Sequence, residues 1–324
     1  MLARTARTLL ALLLVTLGQT YHLAADESKS VITDDPDLVV QGEYQGEVIK
    51  AGNQRKLGVQ VIALGKGTFR AVGFGNGLPG AGWDNSTTWE WNGTTVNGKT
   101  TFQSGGEPAC IENGLLIVQS EETGTGKLPK VTRKSETLGA QPPNGAVILF
   151  DGKNVDQFDM GRLTAEGLLM EGATSKPKFQ SGTLHVEFQI PFGPLVPSRG
   201  NSGVYLQNRY EVQILDSFGY KPHNHECGGI PSVKAPDLAM SFPPLAWQTY
   251  DVQFTAVRYR DGKKEKNARM TVRHNGVVIH NDVEIPHATT SAPLEEGPEP
   301  GPINLQDHHS PVRYRNIWFV PAKD

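Results

Sequence analysis

The feature that most constrains this chain is a hydrophobic period of two, cut at short intervals by turn dipeptides. Leu184, Val186, Phe188 and Ile190 alternate with Thr183, His185, Glu187 and Gln189. Tyr250, Val252, Phe254 and Ala256 alternate with Asp251, Gln253 and Thr255, and Ala268, Met270 and Val272 with Arg269, Thr271 and Arg273. A strand places successive side chains on opposite faces, so each run reads as a half-buried β-strand. Asn-Gly begins at Asn76, Asn92, Asn97, Asn113, Asn144 and Asn275, and Asp-Gly at Asp151 and Asp261. These pairs suit type I′ turns, in which both central residues need positive φ. Gly and Pro, 36 and 22 residues, together make about 18% of the chain against a usual ~12%, as many turns between short strands require. No amphipathic helix longer than two turns follows the first 25 residues. The expected class is all-β.

A length of 324 residues favours two domains. Pro142-Pro143 cannot continue a ladder and is flanked by turn formers, which sets a boundary there. Residues 31–138 read as a small N-terminal β domain, with short strands near Val48 and over 58–64, 68–74, 87–91, 101–103 and 115–119. A Gly-rich loop, 76–86, carries Trp83. Residues 145–324 have longer strands and the size of a two-sheet sandwich or jelly roll. Residues 286–302 form an acidic, Pro-rich loop, read as a surface excursion or as the rim of a site.

Residues 1–25 read as a secretory signal peptide. Arg4 and Arg7 precede a nine-residue apolar run from Leu9 to Leu17, shorter than the about 20 residues of a membrane span. Cleavage near Ala24 or Ala25 leaves a secreted or periplasmic chain with no transmembrane span; an uncleaved N-terminal anchor is the alternative. Cys110 and Cys227 are read as two free thiols, and two lone cysteines build no structural zinc site. The 31 basic and 34 acidic residues give a net charge of −3, which disfavours nucleic acid as a partner. No Gly-x-Ser-x-Gly elbow, P-loop or dinucleotide fingerprint is present, which disfavours a nicotinamide-dependent oxidoreductase.

Two polar strand segments could carry chemistry. In the first, Tyr210, Val212 and Ile214 share one face and Glu211 and Gln213 the other. Leu215 should follow Glu211, unless a bulge returns Asp216 to that face. Such a polar row suits a sugar or, equally, a solvated outer face. The second segment packs Gln306, Asp307, His308, His309, Arg313 and Arg315 into ten residues. His beside a carboxylate is a candidate base. Arg313 and Arg315 share a face and could hold an oxyanion or pair with Glu211 or Asp216. His223, His225, Glu226 and Cys227 match no standard zinc spacing, so no metal site is assigned. Trp247 and Tyr250 are core or sugar-stacking positions.

The run Asn201-Ser202-Gly203-Val204-Tyr205-Leu206, followed by Tyr210-Glu211-Val212-Gln213-Ile214-Leu215-Asp216-Ser217, resembles the signature of the 3-keto-disaccharide hydrolase domain family. Leu149-Phe150-Asp151-Gly152, Trp247-Gln248-Thr249-Tyr250 and Leu305-Gln306-Asp307-His308 with Val312-Arg313-Tyr314-Arg315-Asn316-Ile317 fit the same family. The resemblance covers residues 145–321. It implies a concanavalin A-like β-sandwich and a substrate already oxidised to a ketone at C3, a disaccharide or glycoside. It also implies cleavage by elimination and hydration, with Glu211 or His308 as base, Arg313 or Arg315 holding the enolate and Asp216 assisting departure. Asn201, Gln213, Gln306, Asp307 and Trp247 are the implied substrate-binding residues. No cofactor is implied; related sandwiches often carry structural Ca²⁺, but no oxygen-ligand loop is evident here. Glu211-x-Gln213-x-x-Asp216 is also similar to the Glu-x-Asp-x-x-Glu strand of laminarinase-type glycosidases. It departs from that pattern at its second and third positions, and direct retaining hydrolysis needs two carboxyls about 5 Å apart. A laminarinase-type glycosidase on unoxidised glucan and a lectin-like module without catalysis are the competing readings.

Overall fold

The structure is a computed structural model that describes residues 34–103, 109–121 and 123–323. The leader read at residues 1–25 lies outside the described residues. Among the described residues, α-helix is confined to α1 (Asp37–Val40), and the remaining regular structure is strand, so the chain is all-β. No helix among the described residues is long and apolar enough to cross a membrane.

Eight strands close into a barrel: β1 (Gly42–Lys50), β2 (Asn53–Gly65), β3 (Thr68–Gly75), β4 (Thr88–Val96), β5 (Lys99–Gln103), β6 (Ala109–Glu112), β7 (Leu115–Ser120) and β8 (Gly124–Val131). Each pairs with the next, and β8 returns antiparallel to β1, with Glu43 opposite Val131 and Ile49 opposite Thr125. Closure leaves no unpaired edge. Tyr44, Val59, Phe69, Trp91, Phe102 and Leu116 belong to the barrel's core cluster. Asn97-Gly98 and Asn113-Gly114 make the expected tight turns, all four residues with positive φ. Asn92-Gly93 does not. The pair lies inside β4, where a Cβ on Gly93 would come within 2.5 Å of the Phe102 ring; there glycine serves packing.

The following strands form a two-sheet, concanavalin A-like sandwich. The five-stranded sheet runs β10 (Phe158–Asp159), β12 (Ala173–Phe179), β21 (Gly301–Leu305), β14 (Ser202–Leu206) and β15 (Tyr210–Ile214). The seven-stranded sheet runs β11 (Leu169–Met170), β22 (Arg313–Pro321), β13 (Gly182–Gln189), β16 (Trp247–Thr255), β19 (Ala268–His274) and β20 (Val277–Ile285), with β9 (Val147–Phe150) also on β22. A small hairpin joins β17 (Arg258–Arg260) to β18 (Lys263–Lys266). The alternation of β13 and β16 turns Leu184, Val186, Phe188, Tyr250, Val252 and Phe254 into one core with Val204, Leu206, Val212, Ile214, Ile303 and Leu305 of the opposing sheet. Each fully buried aliphatic or aromatic side chain contributes about 1.5–3 kcal/mol.

The polar face of β13 is covered rather than solvated. The connecting residues 135–140 lie across it: Thr137 Oγ1 donates to Asp251 (2.6 Å), the Gly139 N–H to Glu187 (2.6 Å) and Asn316 Nδ2 to the Ala140 carbonyl (3.0 Å). Beneath them His185 Nδ1 lies 2.6 Å from Asp251 Oδ1. The acidic run after Ile285 is likewise bound, so the free surface excursion gives way to a segment laid along β15. Arg209 Nη1 donates to the Glu299 carbonyl and Nε to the Glu295 carbonyl (each 2.7 Å), Tyr210 Oη to Glu296 (2.9 Å), and Thr289 Oγ1 accepts from the Glu211 N–H (3.0 Å).

Candidate functional site

The outer face of β14 and β15 gathers the polar residues. Register places Tyr205 opposite Glu211 and Gly203 opposite Gln213, and strand alternation puts Asn201 on the same face. A Cβ on Gly203 would lie 2.0 Å from Glu211 Oε1, so the missing side chain is the space the carboxyl occupies. Glu211 Oε2 accepts from Tyr205 Oη at 2.8 Å, and that hydroxyl accepts from Gln306 Nε2 at 3.2 Å. Glu211 Oε1, Asn201 Oδ1, Gln213 Oε1 and Gln306 Oε1 are buried oxygens without a hydrogen-bond partner. Each such group costs about 1–3 kcal/mol. Four on one sheet face are what a site for a hydroxyl-bearing ligand would show.

Electrostatics single out two acids. Burial pushes the Glu211 carboxyl up to about 7, against the opposing hydrogen bond from Tyr205. Burial likewise pushes Asp216 up to about 6, against the Phe218 N–H and the charge of Arg199, with Glu226 adding to the rise. Asp216 does not reach its place through a bulge. β15 ends at Ile214, Leu215 is buried, and the Asp216 N–H donates to the Arg199 carbonyl (2.8 Å). Arg199 Nη2 donates to the Asp216 carbonyl (2.6 Å) and to Glu226 Oε2 (2.8 Å), and Ser217 Oγ donates to the same Glu226 oxygen (2.6 Å).

The second polar segment is divided. Gln306 joins Tyr205 and Glu211, whereas Asp307 and His308 are exposed just past the end of β21, and no side-chain hydrogen bond or ion pair is seen at His308. Neither arginine pairs with Glu211 or Asp216, because both side chains are taken by other carboxylates. Arg313 Nη1 donates to Glu171 Oε2 (2.8 Å), and Arg315 Nε donates to Glu187 Oε2 (2.7 Å) while its guanidinium lies 4.0 Å from the Trp247 ring centre. Arg313, Arg315 and Trp247 thus belong to strands of the seven-stranded sheet, and Glu211 and Gln213 to the five-stranded one. The His223–Cys227 side chains diverge. His223 and His225 are exposed, Glu226 turns to Arg199, and Cys227 is buried with Sγ 3.0 Å from Tyr250 Oη. Among the described residues no group of three or more His, Cys, Asp and Glu is arranged to hold a metal ion. Both cysteines are free.

Sequence reasoning did not assign Tyr205 or Arg199 a role. Tyr205 was within reach, since Asn201, Gly203 and Tyr205 alternate toward the Glu211 face; Arg199 precedes the strand and carries no periodic signal. A cavity of about 920 Å³ beside the β17–β18 hairpin, lined by Tyr259, Lys264, Arg269 and Glu284 among others, includes none of the candidate residues.

The sandwich thus carries a buried acid, Glu211, on the polar face of its five-stranded sheet. More narrowly, residues 145–320 match the model of the 3-keto-alpha-glucoside-1,2-lyase-like domain, and the chain belongs to that family. Among solved structures it is similar to a "putative glycosyl hydrolase" from Parabacteroides distasonis ATCC 8503, at 28% identity and a TM-score of 0.52, covering 63% of this chain and 97% of that one. A second structure of the same description and organism is 15% identical, with a TM-score of 0.42, covering 55% of this chain and 95% of that one. No curated protein matches this chain.

Proposed function

We propose that this protein is a carbohydrate-active enzyme that cleaves 3-keto-glycosides or 3-keto-disaccharides by elimination followed by hydration. Family membership supports the substrate class. The observation that carries the chemistry is Glu211: a buried carboxyl held near pKa 7, one oxygen fixed by Tyr205 and the other unpartnered. A base with its pKa near the working pH combines the right protonation state with driving force.

In this reading Glu211 Oε1 takes the proton from C2 of the sugar, which the C3 ketone makes acidic. The C–H electron pair becomes the C2–C3 double bond of an enolate, and the negative charge passes to the C3 oxygen. As the enolate collapses, the C1–O bond breaks and a C1–C2 double bond forms. Asp216, part protonated near its pKa of about 6, gives its proton to the departing oxygen. Water then adds at C1 and a proton returns to C2, so the net change is hydrolysis. Asn201, Gln213 and Gln306 supply amide donors and acceptors for the ring hydroxyls and the C3 oxygen, a task the sequence reading gave to Arg313 or Arg315. Export by the 1–25 leader belongs to the same proposal.

Incubation with 3-ketotrehalose and with trehalose tests the reading. The expected result is release of sugar from the ketone alone, with exchange of the C2 proton in heavy water. Binding of either sugar without cleavage would favour the lectin-like alternative. Cleavage of the unoxidised sugar at a comparable rate would favour a plain glycosidase.

A further inference from the structure

We infer that Arg70 of the barrel is a positioning residue for the reaction proposed above, acting through Tyr220 on the segment that carries Asp216. Barrel and sandwich then work as one catalytic unit; the inference rests on that proposed function.

The segment from Asp216 to Lys221 is gripped by the barrel at several points. Phe218 is 1% exposed and packs with Ile62, Val72, Phe74 and Leu78 of the barrel and its loop. Gly219 has a φ of +75° and lies so close to Ile62 that a Cβ would meet its Cδ1 at 2.4 Å. Arg70 Nη2 donates to the Gly219 carbonyl at 2.9 Å, and its guanidinium lies 5.0 Å from the Tyr220 ring centre. The Arg199 guanidinium lies 4.2 Å from the same ring. One tyrosine therefore joins a barrel arginine to the arginine that holds the Asp216 carbonyl and Glu226. Glu90, also of the barrel, lies 3.6 Å from Arg70 and 4.0 Å from Lys221 at the far end of the segment.

The charges facing Asp216 are Arg199 and Glu226, with the Phe218 N–H as its hydrogen-bond donor. All three sit within the network that the Arg70–Tyr220 stack holds in place. Tyr220 is itself 38% exposed, so little apolar burial fixes it. Freed of Arg70, the 216–221 segment keeps Phe218 as an anchor and Arg199 on one face of Tyr220, but loses the barrel's hydrogen bond to the Gly219 carbonyl and its cation over the Tyr220 ring. A displacement of about 1 Å at a reacting group can cost a hundredfold in rate.

The test uses the full chain and the variants Arg70→Ala, Arg70→Lys, Tyr220→Ala and Tyr220→Phe. Three readouts are taken: hydrogen exchange of amides 216–221, kcat and KM on 3-ketotrehalose, and the pH profile of kcat/KM. Arg70→Ala is expected to speed exchange of these amides about tenfold. It should lower kcat about ten- to a hundredfold with a smaller change in KM, and move the Asp216 limb to lower pH as its carboxyl gains water. Arg70→Lys, which keeps a cation over the ring, recovers much of the loss. Tyr220→Ala reproduces the effect without touching the barrel, and Tyr220→Phe, which keeps the ring, does not. This pair decides the matter if Arg70→Ala fails to fold. Wild-type kcat and pH profile in both alanine variants would overturn the inference, whether or not exchange rises. If the unaltered chain cleaves no 3-keto-glycoside while Arg70→Ala still speeds exchange, the proposed reaction falls and the barrel's hold on the segment stands.

Discussion

Glu211→Gln separates what this carboxyl does for the reaction from what it costs the fold. Glu211 is 3% exposed, and burial raises its pKa from 4.5 to about 7. Between those values the folded chain keeps the proton and the unfolded chain loses it. The native state thus binds more protons, and stability falls as pH rises through this window. Once the group is ionised in both states, the cost reaches about 3 kcal/mol, since each tenfold step is worth 1.36 kcal/mol. Glutamine keeps the shape and an acceptor for Tyr205 Oη without the charge. Glu211→Gln should therefore match the unaltered protein at pH 4.5 and exceed it by about 3 kcal/mol at pH 8, in urea unfolding monitored by Trp fluorescence. The same substitution should lower kcat by about 10²- to 10⁴-fold. A stability difference that does not change with pH, or a variant less stable at pH 8, would refute the buried-acid reasoning.

Tyr205→Phe removes the hydrogen bond that holds the Glu211 pKa down, so the acid limb of kcat/KM should move upward by about one pH unit; an unmoved limb would mean Glu211 is not the titrating base. At Glu187, burial is outweighed by hydrogen bonds from His185, Asn316, Arg315 and Gly139, which lower its pKa to about 2. Its contribution is present above 4.5 and lost as pH falls toward 2. Glu187→Gln should accordingly destabilise the chain by about 3 kcal/mol at pH 7, with the difference shrinking in acid unfolding experiments. Cys227 is 2% exposed and Cys110 half-buried, and neither is in a disulfide. A thiol reagent should find one reactive group in the native protein and two in denaturant, with the intact mass unchanged by reduction.

Strand positions were largely legible because alternation is a local signal. Thr183 to Gln189 and Tyr250 to Thr255 read directly into β13 and β16. Asn92-Gly93 misled because a turn dipeptide and a glycine making room for Phe102 look the same in one dimension. The row of Glu211 and Gln213 was visible in the sequence as well. Its setting was not, because burial depends on segments distant in the chain: Thr289 and Gly229 cover the β15 edge, and Gln306 reaches Tyr205. The fates of Arg313 and Arg315 were out of reach for the same reason. Their partners, Glu171 and Glu187, lie more than a hundred positions away. Alternation alone separates the polar face of β13 from its apolar face, and it does not show that residues 135–140 fold back to cover the polar one.

Proton transfer by Glu211 at C2 of a 3-keto sugar is the step on which the proposed reaction depends. The measurement that tests it is proton exchange and cleavage of 3-ketotrehalose in heavy water, followed by NMR, with the unaltered protein and Glu211→Gln side by side. Deuterium at C2 and release of the second sugar are expected with the unaltered protein, both nearly abolished in the variant, with no reaction on trehalose. Cleavage without any deuterium entering C2, or full activity in Glu211→Gln, would contradict it.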